Sequence, residues 1–500
     1  MSGVRLPAYD RRAAAPGVVH LGLGAFARGH IAAYCDDLLA LGEPAAITGV
    51  SLRSGSSTRP LADQDGLYTL IETDGTSEQL RVIGSVTALA NGASAAVDAI
   101  SASTTTAVTL TITEKGYHQR SGSGRAHGGI NRRDPAVAHD LAHPDKPTTA
   151  PGVLVAALRR RRDSGLGGIA VISCDNLTSN GEVTAAAVGH LAAEFDADLA
   201  AWISEHVNFP STVVDRIVPA TTDADRLLVA DRLHRRDDAP VRAETQYSWV
   251  IENVSGLPSW DLVGANLVDD VAPWEQRKLR TVNAPHSTLA YLGGLAGHVT
   301  INEAASDPSL SSFVQALLVL EVFPTLTALD TLATLTIGAS AGGPGAGGPG
   351  AGDSAEGASE IARNTLGRFL NPLGHRCEQV AADGSQKLPQ RVVEVIEARR
   401  AHDETVDLSA LVVAAWISWV LRCRRGKARL VDPLAPELLA IASAAGSDAA
   451  SITEAFLGVD AVFTPAVAAD PVVRAAIARG LSLIHELGPA GAAQALTRPR

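Results

Sequence analysis

Gly17-Val18-Val19-His20-Leu21-Gly22-Leu23-Gly24-Ala25-Phe26-Ala27-Arg28 is the stretch on which the fold turns. A short apolar, β-branched run ends in a glycine pair, and over residues 26–39 the apolar side chains recur at helical spacing. The order is strand, turn, helix. Gly22 to Ala27 fits the pattern G-x-G-x-x-A at that turn, where small residues let a pyrophosphate approach backbone N–H groups and the positive end of a helix. Gly22 and Gly24, with Phe26, Ala27 and Arg28 at the mouth of the helix, are therefore the candidate dinucleotide-binding residues. Taken alone, the pattern equally describes a tight strand-to-helix turn of any α/β protein.

Outward from this turn, strand-like runs at residues 46–52, 105–112 and 168–174 alternate with Ala-rich helical stretches such as residues 152–160. Such alternation implies a parallel sheet covered on both faces, and predicts a doubly wound Rossmann-type domain over residues 1–270. The acidic residue that usually follows the second strand is missing. Gly49-Val50-Ser51-Leu52-Arg53-Ser54-Gly55 offers Arg53 and Ser54 instead, which leaves NAD and NADP both open and makes Arg53 a candidate for the ribose end of the cofactor. From residue 271 onward, Ala/Leu/Val segments at helical period (287–295, 309–320, 388–400, 409–423, 471–487) predict a mostly helical C-terminal domain, 271–500. Within it, residues 338–357 read GASAGGPGAGGPGAGDSAEG, the composition of a flexible surface insertion.

Composition narrows the function. The 500 residues carry 42 Lys+Arg against 54 Asp+Glu, a formal net charge of −12, the wrong sign for a nucleic-acid binder. With 46% hydrophobic and 19% charged residues the chain has the material for a large core, and at roughly 150 residues per domain its length suits two or three domains. The apolar run at residues 411–421 falls short of the roughly 20 residues needed to cross a bilayer, so no membrane span is expected. Residues 1–12 lack the continuous apolar segment of a secretory signal. Four cysteines without a CxxC pair fit a reduced, cytoplasmic protein. No sequence signal sets an oligomeric state.

Chemistry gathers in Trp274-Glu275-Gln276-Arg277-Lys278-Leu279-Arg280-Thr281-Val282-Asn283-Ala284-Pro285-His286, where a lysine, an asparagine five residues on and a histidine three further precede an apolar helix. Removing hydride from a secondary alcohol needs a base for the hydroxyl proton and donors for the oxygen as it becomes a carbonyl. A desolvated lysine supplies the first, and amide or imidazole N–H groups the second. No metal-ligand set is visible in the sequence, so the base is expected to be organic.

With these residues in view, the chain resembles the polyol-specific long-chain dehydrogenase/reductase family, which includes mannitol 2-dehydrogenase and fructuronate reductase, also called mannonate oxidoreductase. The resemblance rests on residues 20–26, Gln64-Asp65-Gly66-Leu67-Tyr68, Thr111-Ile112-Thr113-Glu114-Lys115-Gly116-Tyr117, Ser173-Cys174-Asp175-Asn176-Leu177, Val214-Asp215-Arg216-Ile217, residues 278–286 and Asp383-Gly384-Ser385-Gln386-Lys387. It implies Lys278 as general base, Asn176 and Asn283 as the oxyanion donors, His286 as the residue that orients substrate, and Glu275 as a gate for proton exit. Asp215 and Lys387 match substrate-pocket positions. Gln379, standing where many mannitol dehydrogenases have arginine, and His375 complete the substrate candidates. The resemblance further implies NAD as the principal cofactor with measurable NADP use, and an active site in a cleft where Lys278 opens the second domain.

Pro285 departs from the small residue common in the family, and a proline at a first helical position predicts that the helix starts there, with Lys278 and Asn283 on the segment before it. The expected activity is metal-independent interconversion of a secondary alcohol of a small polyol or sugar acid with its ketone. Mannitol/fructose stands first, mannonate/fructuronate is the alternative, and a phosphorylated hexitol, as in mannitol-1-phosphate 5-dehydrogenase, comes third. Lys387, Arg391, His375 and Arg376 suit a carboxylate or a hydroxymethyl end group equally. A non-catalytic nucleotide-binding regulator is the reading from a different class; the intact Lys278, Asn283, His286 and Asn176 oppose it.

Overall fold

The computed structural model describes residues 3–52, 55, 58–119, 129–326 and 355–498. Of these, the residues up to Ala272 form one compact unit and those from Pro273 a second.

In the first unit the opening run becomes the strand Pro16–Leu21 at the centre of a five-stranded parallel sheet. The order across the sheet is Val86–Asn91, Ala46–Ser51, Pro16–Leu21, Ala107–Leu110, Ala170–Ser173. Counted along the chain this is 3-2-1-4-5, the Rossmann order, and its direction reverses between the strands Pro16–Leu21 and Ala107–Leu110. Leu21 lies in register with Val50 on one side and Leu110 on the other. Adjacent residues face opposite cores: Val18 packs with Leu23, Ile31 and Ile47, whereas Val19 and Leu21 pack with Val108, Leu110 and Leu154. That two-sided burial explains why the central strands read as near-continuous apolar runs.

The strand Val86–Asn91 carries no such run because it is an edge with half its residues only partly covered. A second sheet of Val4–Arg5, Glu78–Ile83, Tyr68–Thr73 and Val241–Glu244, and a third of Asn266–Val268, Ser248–Glu252 and Thr212–Asp215, lie outside the pattern expected from the sequence.

The helix expected over residues 26–39 is interrupted. His30 takes φ −127° and ψ −79°, dividing it into Ala25–Gly29 and Ile31–Ala40. The buried His30 ring stacks on Phe26 at 5.1 Å and Nε2 lies 2.9 Å from the Ser248 carbonyl, so packing from 218 residues away overrides the local period. The Gln64 to Tyr68 motif is structural: the Gln64 amide donates to Asp237 (2.9 Å) and accepts from the Asp238 N–H (2.6 Å), while Tyr68 donates to the Arg28 carbonyl (2.6 Å).

The second unit is helical, with Asp407–Arg424 and Pro471–Thr497 at its centre and Tyr291, Phe313, Trp416 and Phe456 fully buried. The segment Pro308–Thr325 is long and apolar enough to cross a membrane by length and composition, but Leu310, Phe313, Leu317 and Val322 lie in this unit's core. The tract at 338–357 lies outside the described residues except for its last three positions, which open the helix Ala355–Leu370.

The expectation that a helix starts at Pro285 is corrected. Helical turns run without a break through Ala272–Lys278, Leu279–Asn283 and Ala284–Ala296, the middle segment being a π-turn. In an α-helix the Pro285 ring would clash with the Thr281 carbonyl four residues back, and the wider turn accommodates it.

Candidate active site

The first unit presents the dinucleotide fingerprint at the carboxyl end of its sheet. Gly22 has φ +93°, and a Cβ there would stand 2.2 Å from the Thr111 carbonyl oxygen, so no other residue fits the turn. Its N–H donates to the Val50 carbonyl (3.0 Å), and its own carbonyl accepts from the Gly24 N–H (2.6 Å) and the Thr111 hydroxyl (2.7 Å). Beneath it, His20 lies between Thr109 (2.7 Å) and Thr111 (3.0 Å), and burial lowers its pKa to about 4. His20 is therefore neutral. A turn with no room for a side chain at Gly22, at the point where strand order reverses, fits a dinucleotide pyrophosphate, which Gly22 and Gly24 would hold through their backbone.

Around the turn, Ala27 is buried, Phe26 stacks on His30, and the Arg28 guanidinium donates to the Ala239 carbonyl and lies over the Tyr68 ring at 5.4 Å. Arg28 is thus engaged inside the unit. Arg53 lies outside the described residues. Asn176 is exposed three residues past the strand Ala170–Ser173, and Asp215 ends the strand Thr212–Asp215, opposite Ser248.

In the second unit the spacing of the polar residues acquires a geometry. On an α-helix, Lys278 and Asn283 would stand about 140° apart around the axis. The π-turn instead bonds the Ala284 N–H to the Leu279 carbonyl, an i→i+5 link, so residues five apart come one above the other. Lys278 and Asn283 then share a face, and His286 follows Asn283 by three positions on the same side. Lys278 and Glu275 are half-buried. Asn283 Nδ2 and His286 Nε2 are buried and have no hydrogen-bond partner among the described residues, an unfinished polar surface of the kind a hydroxylated substrate completes.

The surroundings are cationic. His286 stacks on His375 at 5.7 Å and on Phe369 at 5.1 Å. Burial, reinforced by His375, Arg391, Lys387 and Arg368, holds its imidazole well below the ordinary histidine range. Burial also lowers His375, brings Arg391 down to about 10, and with nearby Arg391 brings Lys387 down to about 8. Arg391 Nη1 donates to the Asn283 carbonyl (3.2 Å) and the Ser287 hydroxyl (2.8 Å), bracing the turn that carries Asn283. Lys387 Nζ donates to the carbonyls of Ala382 (2.6 Å) and Val380 (3.3 Å).

The Asp383-Gly384-Ser385 motif serves this arrangement. A Cβ on Gly384 would meet Trp416 Nε1 at 2.5 Å and the Tyr291 hydroxyl at 2.6 Å, and Ser385 donates to Asp432 through both N–H (2.9 Å) and Oγ (2.5 Å). Gln379 lies exposed on the short helix Cys377–Val380. Arg391 and Ser287 escaped the sequence reading as supports of Asn283; the bond spans 108 residues and no local pattern marks it. Among the described residues, no three His, Cys, Asp or Glu side chains gather as a metal would require.

A Rossmann unit followed by a helical unit bearing a lysine, an amide and a neutral imidazole on one helix defines a class: dinucleotide-dependent oxidoreductases. The chain belongs to the mannitol dehydrogenase family, matching the mannitol dehydrogenase Rossmann domain over residues 16–262 and the mannitol dehydrogenase C-terminal domain over 270–334 and 356–484. It is 37% identical to the D-mannonate oxidoreductase of Escherichia coli K12 over 479 residues, 92% of this chain and 91% of that one. It is 39% identical to the mannitol 2-dehydrogenase of Cereibacter sphaeroides over 331 residues, 64% and 68% of the two chains. The Pseudomonas fluorescens mannitol 2-dehydrogenase, solved as a ternary complex with NAD and D-mannitol, superposes with a TM-score of 0.81 at 33% identity, covering 100% of this chain and 98% of that one.

Proposed function

We propose that this chain catalyses the NAD-dependent, reversible oxidation of a secondary alcohol on an open-chain polyhydroxy substrate to the ketone. The observation that carries the reading is the unpartnered pair Asn283 Nδ2 and His286 Nε2, buried on the helix whose π-turn aligns Lys278 with Asn283. When bound, nicotinamide accepts the hydride from the carbinol carbon. Lys278, as the free amine, takes the hydroxyl proton, and Glu275 is the route by which that proton leaves for solvent. Asn283 donates to the oxygen as it gains carbonyl character, Asn176 keeps the donor role that the resemblance gives it, and neutral His286 holds the neighbouring hydroxyl. Asp215, His375, Lys387 and Gln379 are assigned to substrate recognition.

Mannitol/fructose and mannonate/fructuronate are the two leading pairs. The collection of Arg368, Lys387 and Arg391 around His286 favours the acid, because a carboxylate is stabilised there and a neutral hydroxymethyl group is not. The test is a kinetic panel of fructose, fructuronate, tagaturonate and fructose 6-phosphate, each with NADH and NADPH. Fructuronate with NADH is expected to give the highest kcat/KM. A higher value for fructose restores the neutral pair, and no turnover of any ketone overturns the reading. In the same panel Arg53→Glu is expected to suppress NADPH use selectively, by setting a negative charge against the 2′-phosphate.

A further inference from the structure

The crevice where strand order reverses is flanked by two loops, the Gly22 turn and the segment Thr111 to Thr113 that follows the strand Ala107–Leu110. The loops touch, since Thr111 donates to the Gly22 carbonyl and its own carbonyl closes off the space a Gly22 side chain would need. Thr113 has φ +66° and ψ +160°, a region that only glycine enters without cost and that a β-branched residue enters under strain.

What holds it there is one side chain. The Asp175 carboxylate accepts from the N–H groups of Ile112 (3.0 Å) and Thr113 (2.9 Å) and from the Tyr117 hydroxyl (2.7 Å), which is itself 2.6 Å from Ser173 Oγ. Asp175 stands just past the end of the neighbouring strand Ala170–Ser173, and the next residue is Asn176. A strained loop at the sheet's switch point, its N–H groups all bonded, is a pre-set shape, and the shape faces the place where open α/β sheets take their ligands.

We propose that Asp175 is a positioning residue for the dinucleotide: its carboxylate clamps Ile112 and Thr113 in a strained backbone that shapes the crevice beside the Gly22 turn before the cofactor arrives. The inference rests on the reading of this unit as NAD-binding. Strain kept for binding has a signature that strain without a role lacks. Thr113→Gly relieves the strain and frees the loop, so thermal stability is expected to hold or rise while the NAD⁺ dissociation constant, measured by calorimetry on the full chain, increases about two- to fivefold. Asp175→Asn removes one of the two accepting oxygens and is expected to weaken NAD⁺ about tenfold. Tyr117→Phe keeps both backbone bonds to the carboxylate and is expected to leave NAD⁺ affinity close to wild type.

A Thr113→Gly protein with unchanged NAD⁺ affinity overturns the proposal, whether or not Asp175→Asn folds. So does a folded Asp175→Asn protein that binds NAD⁺ as wild type does. Wild-type protein with no measurable NAD⁺ affinity overturns the functional reading and this inference with it.

Discussion

At His286 the neighbourhood decides the protonation state. Burial and four basic groups keep the ring neutral across the physiological range, so it acts as a hydrogen-bonding group and not as a cation. The proton transfer then falls to Lys278. Lys278→Ala is expected to lower kcat by about 10²–10⁴-fold while NAD⁺ affinity stays near wild type, because a base acts on the alcohol and not on the dinucleotide. Retention of more than about half of wild-type turnover would remove Lys278 from that role. Lys387 carries a second prediction. Its pKa is lowered from 10.5 to about 8 by burial and by Arg391, so its charge is present below about 8 and lost above. An unreactive aldonate is therefore expected to bind progressively more weakly as pH rises through that value, whereas a neutral hexitol binds evenly; a flat aldonate profile counts against the acidic substrate. The sign for stability is opposite: a depressed lysine pKa means that the unfolded chain binds more protons between about 8 and 10.5, so folding gains as pH rises through that window.

At the level of elements, three π-turns among the described residues, Leu279–Asn283, Leu317–Val322 and Pro389–Val393, each accompany a proline: Pro285, Pro324 and Pro389. Each proline removes an i→i−4 donor, and where the widened turn precedes the proline, at Pro285 and Pro324, it keeps the ring clear of the carbonyl behind it. The freed carbonyl still needs a partner: that of Leu320, four residues before Pro324, accepts from Arg399 at 2.8 Å. The same segment carries Glu321, which caps the long helix Asp407–Arg424 by accepting from the N–H groups of Leu408 (2.9 Å) and Ser409 (2.8 Å) and from the Ser409 hydroxyl (2.6 Å). Glu321→Ala leaves buried donors unpaired and is expected to cost about 1–3 kcal/mol in chemical denaturation, with Glu321→Gln losing less. Burial raises the Glu321 pKa above 4.5, so the folded state holds the proton more tightly than the unfolded one, and stability falls as pH climbs through that window. The lead of wild type over Glu321→Gln is accordingly expected to narrow as pH rises above about 4.5. A lead that widens would mean that the ionised carboxylate is the better cap.

For the molecule as a whole, the proposed division of labour is between a sheet that holds a dinucleotide and a helical unit that supplies base, donors and charge. The reaction assigned here needs no Lewis acid, since amide donors meet the developing charge on oxygen. Turnover is therefore expected to survive exhaustive dialysis against a chelator. Loss of activity that added Zn²⁺ restores would refute the organic-base mechanism. The charge balance of −12 sits beside a local concentration of positive groups at His286, which shows why overall charge could not identify the substrate.

Strand Pro16–Leu21, the Gly22 turn and the long helices of the second half were legible in the chain because each is written in local terms: a β-branched run, a residue that must be glycine, an apolar period. The candidate residues Lys278, Asn283 and His286 were legible for the same reason, as residue types crowded into nine positions. Their common face was not, because the spacing of five puts Lys278 and Asn283 apart on any ordinary helix and only the π-turn aligns them. The break at His30, the brace from Arg391 to Asn283, the clamp from Asp175 on Thr113 and the neutral state of His286 were equally beyond reach. Each depends on burial or on a partner far along the chain. Sequence alone determined the fold class and which residues are candidates for the chemistry; tertiary packing decided their alignment, protonation and support, because desolvation and long-range hydrogen bonds exist only once distant segments meet.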